Sequence, residues 1–208
     1  MALTQFYEDQ VLPRLIHFMT DMKEMRKHRE RALLPARGVV LEIGMGSGHT
    51  LRYYPEAVTK VLAVEPSLTA RSLASKAIAK SRIPVEWVGL DGEKIDLPDG
   101  SADTAVSCLT LCTIPRAQAA LKDIFRVLKP GGGFIFMEHG ASPDERILRW
   151  QNRLNGIQGK LFGGCNLNRP ISELIQEAGF KLDSLENFYV KGPPRPMGYT
   201  YLGLARKA

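Results

Sequence analysis

The run Val39-Val40-Leu41-Glu42-Ile43-Gly44-Met45-Gly46-Ser47-Gly48 restricts the fold of this chain more than any other segment. An almost continuous apolar stretch is the signature of a strand buried on both faces, as in parallel sheets. Glycine at three alternate positions after it lets the backbone turn tightly and approach a ligand closely. A helical pattern near Thr50–Tyr54 is expected to follow. Downstream, Val61–Val64, Val85–Val88, Thr104–Cys108 and Phe134–Met137 read as further strands, with helices expected at Ser67–Ser81 and Ala117–Leu128. Strand–helix alternation implies an α/β fold, a mostly parallel sheet with helices on both faces. The segment Leu128-Lys129-Pro130-Gly131-Gly132-Gly133 is a strong helix stop.

The glycine-rich turn admits several ligands, and its neighbours separate them. A phosphate-binding P-loop needs Gly-Lys-Ser/Thr at its end, and this chain has Gly48-His49-Thr50. A dinucleotide fingerprint needs a third glycine where His49 stands. Glu42 also disfavours a pyrophosphate, because a carboxylate repels a dianion but attracts an ammonium or a sulfonium. That pattern suits S-adenosylmethionine (SAM), which carries both cations and no phosphate. Glu65 ends the next strand, 21 residues after Gly44, a spacing at which a carboxylate accepts from ribose hydroxyls. Asp91-Gly92-Glu93 follows the third strand and offers a carboxylate to an adenine amino group.

These residues resemble the class I SAM-dependent methyltransferases, whose hydrophobic–acidic–hydrophobic–Gly-x-Gly-x-Gly pattern is matched by Leu41–Gly48. Asp91-Gly92-Glu93, Leu97-Pro98-Asp99-Gly100-Ser101-Ala102-Asp103 and Arg126-Val127-Leu128-Lys129-Pro130-Gly131-Gly132 resemble the ubiquinone/menaquinone-biosynthesis type of that class. Leu111-Cys112, Phe136-Met137-Glu138-His139 and Gly164-Cys165-Asn166-Leu167 look like the methyltransferase-like thiol S-methyltransferases. The resemblance implies a Rossmann-like sheet of seven strands with the last antiparallel. It implies SAM as cofactor and S-adenosylhomocysteine as product. It places cofactor contacts at Glu42, Gly44, Met45, Gly46, Gly48, Glu65, Pro66, Asp91, Gly92, Glu93, Cys108 and Leu109. The expected acceptor pocket comprises Tyr7, Cys112, Glu138, Cys165 and Asn166. His139, placed after the fifth strand, is the candidate base. The favoured acceptor is a small thiol. A quinone, phenol or phospholipid amine, methylated at carbon, oxygen or nitrogen, is the alternative, and a SAM-binding protein without catalysis is a third reading.

One domain is expected over 1–208, with an N-terminal helical lid (1–36), a cofactor-binding core (37–140) and a substrate-side portion (141–208). In the lid, Leu15, Phe18, Met19, Met22 and Met25 repeat at helical spacing, and Pro13 starts or kinks the helix. The helix is expected to roof the pocket. Asp144–Leu161 and Pro170–Ala178 read as helices. Lys181–Val190 and Tyr199–Ala205 read as antiparallel strands joined by a short loop. His17, His28 and His49 lie on helical stretches and are expected at the surface or in packing.

Composition excludes several other classes. Hydrophobic residues at 44% and charged residues at 24% are globular values. The net charge of +6 is concentrated in Lys23–Arg31 and in the tail after Asn187, and is expected to be a solvated face and a basic end. It allows contact with a membrane surface without indicating one. Three cysteines with no Cys-x-x-Cys pair argue against a disulfide framework and against a metal site, and fit a reducing compartment. No apolar run approaches the ~18 residues that span a bilayer. Glu8, Asp9 and Arg14 stand where a signal peptide or an apolar anchor needs an apolar stretch, so a cytoplasmic protein is expected. The Asn/Asp-Pro-Pro-Tyr type of motif found in nucleic-acid methyltransferases is replaced by Cys108-Leu109-Thr110-Leu111, so no nucleic-acid partner is expected. The partner is a small-molecule methyl acceptor.

Overall fold

The computed structural model describes residues 2–207. Its strands are β1 (Gly38–Ile43), β2 (Val58–Val64), β3 (Val85–Gly89), β4 (Ala102–Cys108), β5 (Leu128–His139), β6 (Phe180–Tyr189) and β7 (Tyr199–Lys207). They form a seven-stranded sheet in the order β3-β2-β1-β4-β5-β7-β6. Strands β1 to β5 pair in parallel, and β7 inserts antiparallel between β5 and β6. This is the expected topology. The order reverses between β1 and β4, so their carboxyl ends open a crevice for a ligand.

The helices are α1 (Ala2–Phe6), α2 (Leu12–Thr20), α3 (Lys23–Leu33), α4 (Leu68–Lys80), α5 (Ala117–Val127), α6 (Glu145–Leu161), α7 (Ile171–Glu177) and α8 (Arg195–Gly198). Apolar side chains on the two faces of the sheet seed two cores. On one face Leu41, Ile43, Phe134 and Phe136 pack with α5 and α7. The stripe Ala117, Ala120, Leu121, Ile124 and Val127 on α5 is buried there, the spacing of a helix with one apolar face. On the other face Val40, Val61, Ala63 and Ile135 meet Ala32 and Leu33 of α3. Ser67 and Asp144 cap α4 and α6 by accepting from backbone N–H groups of their first turns.

Three expectations need correction. After the glycine turn the chain forms only a 3₁₀ turn, Leu51–Tyr53, because Pro55 forces Tyr54 into extended backbone. Strand β5 begins at Leu128 rather than Phe134. The Pro-Gly stretch that stops α5 is itself drawn into the sheet, with an irregular register opposite Ala102 and Thr104. The N-terminal helix also breaks at Asp21–Met22, where Met22 is extended. The apolar repeat therefore does not lie on one face. Met25 packs against Met137 and Val190, whereas Leu15, Phe18, Met19 and Met22 are exposed.

Proline explains the geometry at the start of the lid. Pro13 has no N–H to donate to the Asp9 carbonyl four residues back, and its ring crowds that carbonyl. The chain widens there into a π-helical turn, Tyr7–Val11, closed by the Leu12 N–H on the Tyr7 carbonyl. The Asp9 carbonyl instead accepts from the Thr69 hydroxyl of α4 at 2.6 Å. Tyr7 donates to the Leu161 carbonyl at 2.8 Å, so the turn is fastened on both sides. Thr69→Val removes one fastening worth roughly 0.5–1.5 kcal/mol. Amide exchange across Tyr7–Thr20 should accelerate about 2- to 10-fold, with the global unfolding midpoint nearly unchanged. Unaltered exchange would show that the hydroxyl does not hold the turn.

Candidate cofactor and substrate site

A cavity of about 720 Å³ lies beyond the carboxyl ends of β1, β2 and β4, within the size range of small-molecule sites. Its floor is the glycine turn. Gly44 has φ +68° and faces Thr110 so closely that a Cβ would overlap that side chain. Gly46 has φ +57°, and a Cβ on it would meet nothing nearer than 3.9 Å, which leaves room for a ligand against the backbone. The opposite wall carries Leu109 at φ +59°, the one left-handed non-glycine residue among those described. Such strain persists where the surrounding structure fixes it, and it clusters at functional sites. Gly44, Met45, Gly46, Pro66, Asp91, Gly92, Cys108 and Leu109 all line the cavity; Gly48 shapes the turn from behind, against Ala77.

Two buried carboxylates face this space. Glu42 accepts from Thr50 Oγ1 at 2.6 Å and Tyr54 Oη at 2.9 Å. Burial pushes its carboxyl up to about 7, against the pull of those donors and of the Arg29 charge. Glu65 accepts from the Gly46 and Ser67 backbone N–H groups at 2.8 and 2.9 Å. Burial raises it as well, partly offset by those two hydrogen bonds and the Arg71 charge. Each carboxylate keeps lone pairs for further donors. Glu93 also lines the cavity but is held by the Arg116 backbone N–H and guanidinium at 2.7 and 2.6 Å. Asp91 is the freer carboxylate at that end.

Sequence reasoning missed the roof's polar contacts. Glu8, Leu12, Pro13, Ile16, His17 and Thr20 line the cavity, so the N-terminal helices do cover it, with Leu12, Ile16 and Thr20 inward rather than the methionine stripe. His17 Nδ1 lies 2.7 Å from Ser47 Oγ of the glycine turn, and His17 stacks on His49. Both histidines are therefore site residues, whereas His28 stacks on Phe188. Asp21, at the break between α2 and α3, gathers Arg26, Arg52 and His49. Arg29 is 3% exposed and lines the cavity, and its Nε and Nη1 have no partner among the described residues. Only Nη2 is used, on the Thr20 carbonyl. The spacing Met25, Arg29, Leu33 was the available signal, since it puts a guanidinium on the buried stripe of α3.

The expected acceptor residues lie elsewhere. Tyr7, Cys112, Glu138, His139, Cys165 and Asn166 do not line the cavity; Thr113, Phe162, Gly163 and Gly164, beside them in sequence, do. Tyr7 faces α6, as described. Glu138 is fully buried and accepts from Ser107 Oγ and the Thr110 and Cys112 backbone N–H groups. It builds the turn after β4. His139 Nε2 lies 3.2 Å from Cys165 Sγ, which lies 3.7 Å from Cys112 Sγ. Burial works against the charged imidazole, but the Cys165 hydrogen bond and the Glu138 charge outweigh it and raise its pKa. Asn166 fastens this loop by bonds to the Cys112 carbonyl at 2.8 and 3.1 Å.

Residues 41–136 match the methyltransferase-domain family. Thiol S-methyltransferase TMT1B of Homo sapiens is 31% identical over 186 residues, 85% of this chain and 75% of that protein. The chain belongs to the class I SAM-dependent methyltransferases. Thiol S-methyltransferase TMT1A of Homo sapiens is 34% identical over 152 residues, 71% of this chain. The chain spans 62% of that relative's length. A SAM-dependent methyltransferase structure from Methanosarcina mazei superposes with TM-score 0.66 at 20% identity, covering 85% of this chain and 95% of that one, and so shares the fold.

SAM fits the donor set of this methyltransferase. Its cationic end would meet Glu42, its ribose hydroxyls would meet Glu65, and its carboxylate would pair with the Arg29 guanidinium, all three residues lining the cavity. Arg29→Met should weaken SAM binding by about 1.5–3 kcal/mol and leave thermal stability unchanged or higher, because a buried unpaired charge is costly. Titration calorimetry with thermal melts checks both signs. Glu42 adds a pH signature. Its pKa in the fold lies above its unfolded value of ~4.3, so its contribution to stability is complete below that value and is lost as pH rises through about 7. A bound cation favours the ionised form, so SAM binding near pH 6 should release a proton. Calorimetry in two buffers of different ionisation heat measures it, and Glu42→Gln should abolish it.

Proposed function

We propose that this methyltransferase transfers the methyl group of SAM to a small thiol. The observation that supports this acceptor is the state of the histidines and buried carboxylates that line the cavity. Both histidines and both buried carboxylates that line the cavity are already hydrogen-bonded: Glu42 to Thr50 and Tyr54, Glu65 to backbone, His17 to Ser47, and His49 Nε2 to the His17 carbonyl. A thiol, with a pKa of roughly 8.5, ionises near neutrality and asks least of the protein. The likeness to relatives named thiol S-methyltransferases supports the same reading.

SAM, when bound, would supply an electrophilic methyl group to the acceptor's sulfur, and Arg29, Glu42 and Glu65 are the residues that would hold it. The chain's own task is alignment and exclusion of water. Leu12, Ile16, Leu109, Ile114 and Phe162 supply apolar walls. The roof helices close over them through His17, Tyr7 and Thr69.

A labelled-methyl assay over thiols, phenols, amines and phospholipid amines tests the assignment. Small thiols should give the fastest turnover, with a rate that climbs as pH passes the thiol's pKa. Preferred methylation of an oxygen, nitrogen or carbon acceptor would replace the thiol reading. Tight SAM binding without transfer to any acceptor would make the chain a binding protein. Deleting residues before Pro13 should leave a folded core with impaired turnover.

A further inference from the structure

The cluster behind the cavity wall combines three groups that the methyl-transfer reading leaves without a role. Cys112 comes from the turn after β4, His139 is the last residue of β5, and Cys165 comes from the loop after α6. Cys112 and Cys165 are 53 positions apart, which is why no spacing motif announces them. In the fold, Cys112 Sγ, Cys165 Sγ and His139 Nε2 all lie within 4.8 Å of one another. The two thiols are 2% and 8% exposed.

We propose that Cys112, His139 and Cys165 form a binding site for Zn²⁺ with three protein ligands. Two of the three edges are close to those of a tetrahedral site. Zinc–sulfur bonds of ~2.3 Å and zinc–nitrogen bonds of ~2.0–2.1 Å give tetrahedron edges of ~3.7 Å between sulfurs and ~3.5 Å between sulfur and nitrogen. The observed separations are 3.7 Å between the sulfurs and 3.2 Å from Cys165 Sγ to His139 Nε2. A cation bound by all three also needs the Cys112 Sγ–His139 Nε2 edge, which is within 4.8 Å, to settle near ~3.5 Å. The ligand set also selects the metal class: thiolate and imidazole suit zinc, while carboxylate-rich sites suit magnesium or calcium.

The charges balance. Two thiolates and a divalent cation sum to zero, which a buried site needs. The neighbouring Glu138 carboxylate is fully buried, and the Arg169 guanidinium beside it donates to the Leu111 and Ile114 carbonyls, so these two flank the cluster with opposite charge. Metal binding displaces two thiol protons. The backbone is already arranged for it, since Asn166 holds the Cys165 loop to the Cys112 carbonyl. With three protein ligands, a fourth position is left for water or an added thiolate, the pattern of open zinc sites. The metal would lock the Thr113 and Gly163–Gly164 wall of the cavity to the ends of β4 and β5. The proposal does not depend on which acceptor the enzyme uses.

Cobalt(II) titration of the reduced 208-residue chain reads the site directly. One equivalent per chain should bind with thiolate-to-cobalt charge-transfer absorption, and Zn²⁺ should displace it. Cys112→Ser or Cys165→Ser should weaken binding by at least the ~10–100-fold that loss of a second-shell partner costs. His139→Gln should weaken it and shift the spectrum, and Cys108→Ser should leave both intact. The proposal fails if the wild-type protein shows no charge-transfer band, a result that needs no variant to fold. It also fails if the band survives in the Cys112→Ser/Cys165→Ser double variant, requires Cys108, or is indifferent to His139→Gln.

Discussion

A carboxylate buried at the end of the central strand is the constraint from which the rest of the site follows. Glu42 stands between β2 and β4 in the register of β1 and is 1% exposed, so the chain supplies its donors. It does so by folding Thr50 and Tyr54 back onto it. That requirement shapes the whole stretch after the glycine turn. The stretch becomes a compact 3₁₀ turn stopped by Pro55, rather than a helix aimed at the ligand. The cavity therefore has no helix terminus from this segment pointing at it, which accords with a cofactor that carries no phosphate. Its positive counterpart is Arg29, delivered from a helix earlier in the sequence.

The carboxyl ends of the strands repeat this arrangement. Glu138 does for the turn after β4 what Glu42 does for the turn after β1, collecting a hydroxyl and two backbone N–H groups. The consequence is a division of labour between the two sides of one wall. The side facing the cavity presents Leu109, Thr110, Thr113 and Ile114. The side facing away presents Cys112, with His139 and Cys165 beyond it. Chemistry-bearing residues close in sequence to the cavity are thus split between two compartments by alternation along one short loop.

The sheet and the glycine turn were legible in the sequence because both rest on local rules: apolar runs make buried strands, and Gly44 and Gly46 are needed where the backbone turns left-handed. The parts that were not legible depend on long-range placement. The methionine repeat assumed an unbroken helix, and the break at Asp21–Met22 rotated α3 relative to α2. Arg29 sat in a run of charges that reads as a solvated face, although its spacing from Met25 and Leu33 was apolar. His139 follows the fifth strand, as expected, yet its ring turns toward Cys165. No single-segment pattern encodes that meeting, since its three members come from three separate elements.

The roof has a further consequence, for the order of folding. Tyr7 is fastened to Leu161, 154 positions later in the chain. In synthesis these helices emerge before the surface they cover, which does not exist until β1, β4 and α6 have been made. Contacts of such sequence separation form late. For most of synthesis this segment, with Leu12 and Ile16 among its side chains, is an apolar ribbon with nothing to pack on. The cavity is consequently among the last features of the molecule to be completed. A nascent chain can hold a finished sheet core while still lacking the enclosure that the cofactor requires.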